Sequence, residues 1–227
     1  MGYPGEHRIR TVCIWATSIM DEPRKGHTMA AADVPPIETE RLLLRAPTRA
    51  DVAAWATHLA DPEVLRYLPK RDQTPQERAA QQFDAINQGW EDHSDIGWVI
   101  TQKSGQQLIG WCGAGPGKEE DVAELVYMLG KPYWGQGFAT EAARAVVRYG
   151  FENRPWSRIV AAIIPANAAS RRVLEHLGFA YEKDVNYVEM TGDMTLQMDT
   201  PIVPLFVLRR EQFVLGNAFY RVTDGAT

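Results

Sequence analysis

One junction constrains this chain more than any other, residues 127–141, YMLGKPYWGQGFATE. A β-prone run over 122–129 enters a loop carrying Gly135 and Gly137, and the loop opens directly into a helix predicted from Gly137 to about Phe151. In that helix Phe138, Ala142, Ala145, Val146 and Tyr149 fall at i, i+4, i+7, i+8 and i+11, one face of a 3.6-residue period. Backbone N–H groups at a helix start have no intrahelical partner and lie at the positive end of the dipole. Glycines let that backbone come close to a phosphate, so the junction is a ready anion site. No lysine follows in the spacing of a nucleoside-triphosphate loop. Taken alone, the same residues also make a plain glycine-rich connection.

A second segment, residues 164–179, IPANAASRRVLEHLGF, follows about 30 residues later. Asn167 is placed to cap a helix over 168–177, its side chain accepting from an orphan amide. Gly178 is the expected left-handed stop, with Phe179 just beyond it. Capping accounts for these residues singly. It does not account for the two segments occurring together, in this order.

The rest of the chain supplies the frame. Residues 42–44 read as a buried first strand, 51–61 and 62–68 as helices, and Thr74-Pro75 opens a helix to about Trp90. Strands over 96–102, 107–114 and 122–129 form an antiparallel meander. A strand over 158–164 and two more over 181–190 and 203–210 complete an α+β or mixed α/β layout on one mixed sheet. The organised domain spans 37–211, between a leader, 1–36, expected to be disordered, and a patternless tail, 212–227. Met29 is an alternative natural start.

Composition narrows the function classes. A chain of 227 residues with 45% hydrophobic and 23% charged content suits one ordinary domain. The net charge of −5 argues against a protein that grips nucleic acid through its overall field. Cys13 and Cys112 have neither disulfide nor metal spacing and read as free thiols in a reducing compartment. His7, His27, His58, His93 and His176 form no ligand pattern, so no metal is assigned. The apolar stretch over 11–20 is shorter than the about 20 residues that span a bilayer, and no cleavage site follows it. The protein is read as cytoplasmic, with no membrane partner.

Residues 133–141 (YWGQGFATE), 167–170 (NAAS) and 177–179 (LGF) together resemble motifs A and B of the GNAT superfamily, and look most like its RimJ/RimL-type branch. That resemblance implies a mixed central sheet of about seven strands with flanking helices and a splay between the fourth strand, 122–129, and the fifth, 158–164. It implies an N-acetyltransferase that moves acetyl from acetyl-CoA to a primary amine by direct attack through a tetrahedral intermediate. The acceptor would be a protein or peptide N-terminal amine, or a small-molecule amine, and the enzyme a monomer or homodimer. Acetyl-CoA would be held by Trp134, Gly135, Gln136, Gly137, Phe138, Ala139 and Thr140, mainly through main-chain N–H groups, together with Asn167 and Ser170. A strand-edge N–H at Met128 or Leu129 would stabilise the oxyanion. The superfamily's Gln/Arg-x-x-Gly-x-Gly/Ala signature matches at Gly137 and Ala139 and departs at its first position, Trp134.

The catalytic residues are less sharply marked. Many relatives carry a tyrosine acid seven residues after the asparagine, and here that position is Leu174. Ser170 is the alternative, a hydroxyl to stabilise the departing thiolate. Glu189, expected on the penultimate strand, and Glu124, on the fourth, are the candidate bases. An α-amine with pKa about 7.7–8.0 needs no dedicated base. Trp90, Trp98 and Trp111 read either as core or as acceptor-pocket walls, and Glu141 as a partner for the helix dipole. Two rival readings stay open, a catalytically weak acyl-CoA-binding sensor or interaction module, and an enzyme of another phosphate-binding class.

Overall fold

The computed structural model describes residues 34–68, 72–117, 119, 121–191 and 201–213. Residues 1–33 of the expected leader, with Cys13, His7, His27 and Met29, and residues 214–227 of the expected tail lie outside the described residues.

Eight strands form one mixed sheet in the order β1-β2-β3-β4-β5-β6-β8-β7. They are β1 (Ile37–Glu38), β2 (Leu42–Arg45), β3 (Ile96–Gln102), β4 (Leu108–Pro116), β5 (Val122–Leu129), β6 (Arg158–Ala162), β7 (Ala180–Asn186) and β8 (Ile202–Arg209). The strand beyond the expected seven is β1, a two-residue piece paired antiparallel to β2 through Ile37↔Leu44. All neighbouring pairs are antiparallel except β5–β6.

The helices start where local chemistry tells them to. Helix α1 (Arg49–Leu59) is opened by Thr48 and Asp51 in a reciprocal cap, and Asp51 is held in turn by the Arg45 guanidinium through two 2.7 Å bonds. Asp61 caps α2 (Pro62–Leu65), accepting from the Glu63 amide at 2.9 Å. At α3 (Pro75–Glu91) Thr74 and Glu77 repeat the reciprocal cap, with proline at the first helical position. Helices α4 (Phe138–Asn153) and α5 (Ala168–His176) flank the split described below, and α6 (Tyr187–Thr191) is a single short turn.

The core reaches from Val34 to Leu208 and contains Trp90, Trp98 and Trp111, each at most 5% exposed. Trp90, Trp98 and Tyr149 meet edge to face at 5.1–6.0 Å between ring centroids. The Trp90 indole donates to the Gly97 carbonyl at 2.7 Å, and that of Trp98 to the Pro35 carbonyl at 2.8 Å. All three tryptophans pack in the core.

Candidate active site

The sheet comes apart at one place. Strands β5 and β6 pair only through Val122↔Arg158, Ala123↔Ile159 and Glu124↔Val160. Beyond Glu124, β5 stays laddered to β4 as far as Leu129, and β6 stays laddered to β8 as far as Ala162. A wedge therefore opens between Leu125–Leu129 of one strand and the end of the other. The Gly130 amide donates to the Ile109 carbonyl at 2.9 Å, and the Gly117 amide to the Val122 carbonyl at 2.7 Å. Antiparallel alternation then turns the Met128 amide toward Trp111 of β4 and the Leu125, Tyr127 and Leu129 amides toward the wedge.

At the far end of β5 the glycine loop forms a cradle. Gly135 and Gly137 have φ of +72° and +80°, left-handed values that other residues adopt only under strain. The first intrahelical bond of α4 runs from the Glu141 amide to the Gly137 carbonyl at 3.0 Å. No group among the described residues accepts from the amides of Gly135, Gln136, Gly137, Phe138, Ala139 or Thr140. A Cβ placed on Gly135 would meet nothing within 4 Å, so the cradle is open there. The loop's long side chains fold back on its own carbonyls: Trp134 Nε1 donates to Leu129 at 2.8 Å and Gln136 Nε2 to Pro132 at 2.8 Å.

A brace from the β1–β2 turn holds the loop. Arg41 donates through Nη1 to the Gln136 carbonyl at 2.9 Å and through Nε to Glu141 at 2.7 Å, while its guanidinium lies 4.5 Å from the Phe138 ring centre. Glu141 also accepts from the Thr39 hydroxyl at 2.6 Å and the Arg41 amide at 2.8 Å. Burial works to raise the Glu141 carboxyl, but Thr39 and Arg41 outweigh it, and its pKa lies below the ordinary carboxylate value. Glu141 sits in the first turn of α4 as the dipole argument expects, and it is also the anchor of this brace.

Across the wedge, Asn167 caps α5 as its sequence position predicts, accepting from the Ser170 amide at 3.0 Å. Ser170 Oγ lies 2.7 Å from the Tyr127 hydroxyl, which reaches it from β5. Burial pushes the Tyr127 phenol well above its usual pKa, although the Ser170 bond works against this. Leu174 is fully buried in the core, so no tyrosine-like role passes through it. Sequence reasoning missed Tyr127, because an aromatic residue inside a strand reads as packing.

The two carboxylates come together. Glu124 and Glu189 line one pocket of about 310 Å³, with Arg158, Asn186 and Met190 also on its wall. Glu124 is 5% exposed and stands where the β5–β6 pairing stops. Glu189 is exposed, and the strand expected to carry it is corrected: β7 ends at Asn186 and Glu189 lies in α6. The reason is local, since the Asn186 side chain accepts from the Val188 amide at 3.1 Å and the Glu189 amide at 3.4 Å, and bends the chain out of the ladder. Asn186 Nδ2 then donates to Glu189 Oε1 at 3.0 Å.

Glu124 and Tyr127 are three positions apart on one strand, so their side chains leave opposite faces of the sheet. The pocket lies on the face of Glu124, and Ser170 on that of Tyr127. Leu129, where β5 ends and the loop to the cradle starts, lies about 17 Å from Glu124 along the strand, at roughly 3.4 Å per residue. No helix of the described residues is long and apolar enough to cross a membrane.

Known proteins are similar to this chain. The acetyltransferase (GNAT) domain family matches residues 41–180, more than half of the chain. The Bacillus subtilis protein YkkB is 33% identical over 155 residues, 65% of this chain and 86% of its own length. The uncharacterized N-acetyltransferase p20 of Bacillus licheniformis is 33% identical over 145 residues, covering 63% of this chain and 82% of its own. Among solved structures, Mycobacterium smegmatis RimJ in complex with CoA-disulfide superposes with a TM-score of 0.60 at 22% identity, over 78% of this chain and 89% of that one. That likeness is one of fold, and it agrees with the sheet and helices described above. The chain belongs to the GNAT acetyltransferase family and is an acetyl-CoA-dependent acetyltransferase.

Proposed function

We propose that this enzyme transfers acetyl to a primary amine, either the N-terminal amine of a protein or peptide or a small-molecule amine. One observation carries the reading. The unclaimed amides at the start of α4 stand at the end of β5 from which the wedge toward β6 opens. The cradle suits the pyrophosphate of acetyl-CoA, bound by main-chain N–H groups of Gly135, Gln136, Gly137, Phe138, Ala139 and Thr140. The wedge suits a slender thioester arm, with the Leu129 amide as its oxyanion donor. A donor fixed in advance at such a place is worth about 3–4 kcal/mol of barrier.

The chain's residues then divide the work. Asn167 fixes the first turn of α5, and Ser170 donates to the sulfur. The amine nitrogen bonds to the acetyl carbon, the carbon–sulfur bond breaks with its electron pair left on sulfur, and the amine gives up one proton. Glu124, buried at the mouth of the wedge, takes that proton directly or through a water, and Glu189 on the pocket wall orients the incoming amine. The working unit is 37–211, acting in the cytoplasm. The buried free thiol of Cys112 fits a reducing compartment.

The test is thiol release from acetyl-CoA by the purified protein against peptides with free N-termini, polyamines and aminoglycosides. Turnover with at least one class is expected. Tight CoA binding with no product across the panel would replace this reading with the sensor.

A further inference from the structure

We infer that Tyr127 positions Ser170, and that the two hydroxyls form one chain of donors toward the sulfur that leaves the thioester. The inference rests on the acetyl-CoA reading above. Tyr127 and Ser170 are 43 residues apart in sequence, and their hydroxyl oxygens are 2.7 Å apart. The Ser170 amide is held from the other side by Asn167 Oδ1 at 3.0 Å. The backbone and the side chain of Ser170 are thus fixed by different elements, and a serine hydroxyl that would otherwise rotate among three wells is confined.

The proton count gives the pair its direction. Each hydroxyl carries one proton. The Tyr127 oxygen also lies 3.2 Å from the Ser170 carbonyl, so in the resting site Ser170 can donate to Tyr127 while Tyr127 donates to that carbonyl. Negative charge on a nearby sulfur selects the other arrangement, in which Tyr127 donates to Ser170 Oγ and Ser170 donates to sulfur. No proton changes owner. The electron pair of the broken bond stays on sulfur, and successive hydroxyl dipoles strengthen one another in a partly buried site. The first turn of α5 adds the positive end of its dipole. Burial keeps Tyr127 protonated, and Cys112, its cross-strand partner on β4, is kept neutral by burial as well.

CoA itself is the probe. Wild type, Tyr127→Phe, Ser170→Ala and the double variant are each saturated with CoA, and the ultraviolet absorbance of the bound thiolate is titrated against pH. The thiol should ionise more readily on the wild type than in water. Each single variant should weaken that ionisation roughly tenfold, the size expected for losing one hydrogen bond to a charged group, and the double variant no more than either. For Tyr127→Phe, CoA affinity at acid pH should stay level, which separates positioning from a merely structural role. A variant that keeps the shape gives the opposite reading: 3-fluorotyrosine at position 127, a stronger donor, should favour the thiolate. Tyr127→Phe and fluorotyrosine both matching wild type, with Ser170→Ala shifted, would overturn the role of Tyr127 and leave Ser170 standing. An unshifted Ser170→Ala removes both. Wild type that does not bind CoA removes the reading beneath them.

Discussion

Arg41 and Glu141 are 100 residues apart in the chain and 2.6 Å apart in the fold. Neither needs to touch a ligand. Their contact ties the β1–β2 turn to the first turn of α4, and the same guanidinium holds the Gln136 carbonyl, so the cradle amides are aimed by residues outside it. Arg41→Ala should cost only about 1 kcal/mol of stability, because the Arg41 side chain is 44% exposed and solvent screens the pair. CoA affinity should fall about tenfold, with kcat at saturating acetyl-CoA little changed. Calorimetry and initial-rate kinetics measure the two.

Two glycines in the loop make a matched comparison. Both have positive φ, but a Cβ on Gly137 would lie 3.3 Å from Arg41 Nη2, whereas one on Gly135 meets nothing within 4 Å. Gly135→Ala should lose only the backbone preference, about 1–2 kcal/mol. Gly137→Val adds a displaced Arg41 and a branched side chain beside the proposed phosphate site, and should weaken CoA binding at least a hundredfold. Equal affinities in calorimetry would show that the cradle does not bind the pyrophosphate.

The two carboxylates of the pocket can be told apart by pH. Glu124→Gln should lower kcat about a hundredfold and remove the acid limb of the kcat/KM profile, since general-base help is worth about 10²–10⁴-fold. Glu189→Gln should act mainly on the KM for the amine. The reverse pattern would move the base to Glu189. Two unaltered profiles would leave the amine to deprotonate on its own.

Asp95 gives the fold its own pH dependence, away from the site. It is fully buried, neither carboxylate oxygen has a well-formed hydrogen bond among the described residues, and burial, only partly opposed by Ser94, raises its pKa from 3.8 to about 7. Its place is fixed, because the Ser94 and Asp95 amides both donate to the Gly89 carbonyl. The folded pKa lies above the unfolded one. Stability is therefore full below pH 4 as far as this group is concerned, and falls as pH rises toward and through 7, by roughly 4 kcal/mol in all. Wild type should have a lower urea midpoint at pH 8 than at pH 5, and Asp95→Asn should flatten that difference.

What could be read from the sequence was what the chain settles locally. Gly178 does take the left-handed φ of a helix stop, and Asn167 and Thr74 do cap the helices behind them. The wedge between β5 and β6 was legible through the resemblance those segments carry. The brace and the Tyr127–Ser170 contact were not, because their partners stand 100 and 43 residues apart and no periodicity marks either end. Glu189 was misplaced for a different reason. Tyr187 and Val188 favour strand, so the run looks unbroken until the Asn186 side chain takes up the amides that follow it. The strand β1, two residues long, is too short to show an alternation.

A sheet is ordinarily a wall, and the three-residue seam between β5 and β6 makes this one a wall with a slot. On the proposed reading, the thioester enters from the Ser170 side and the amine from the Glu124 side, and the two meet only in the opening. Neither has to leave before the other arrives. On that proposed reading, the enzyme holds donor and acceptor together and hands the acyl group across the thickness of its own sheet, without ever carrying it on a side chain.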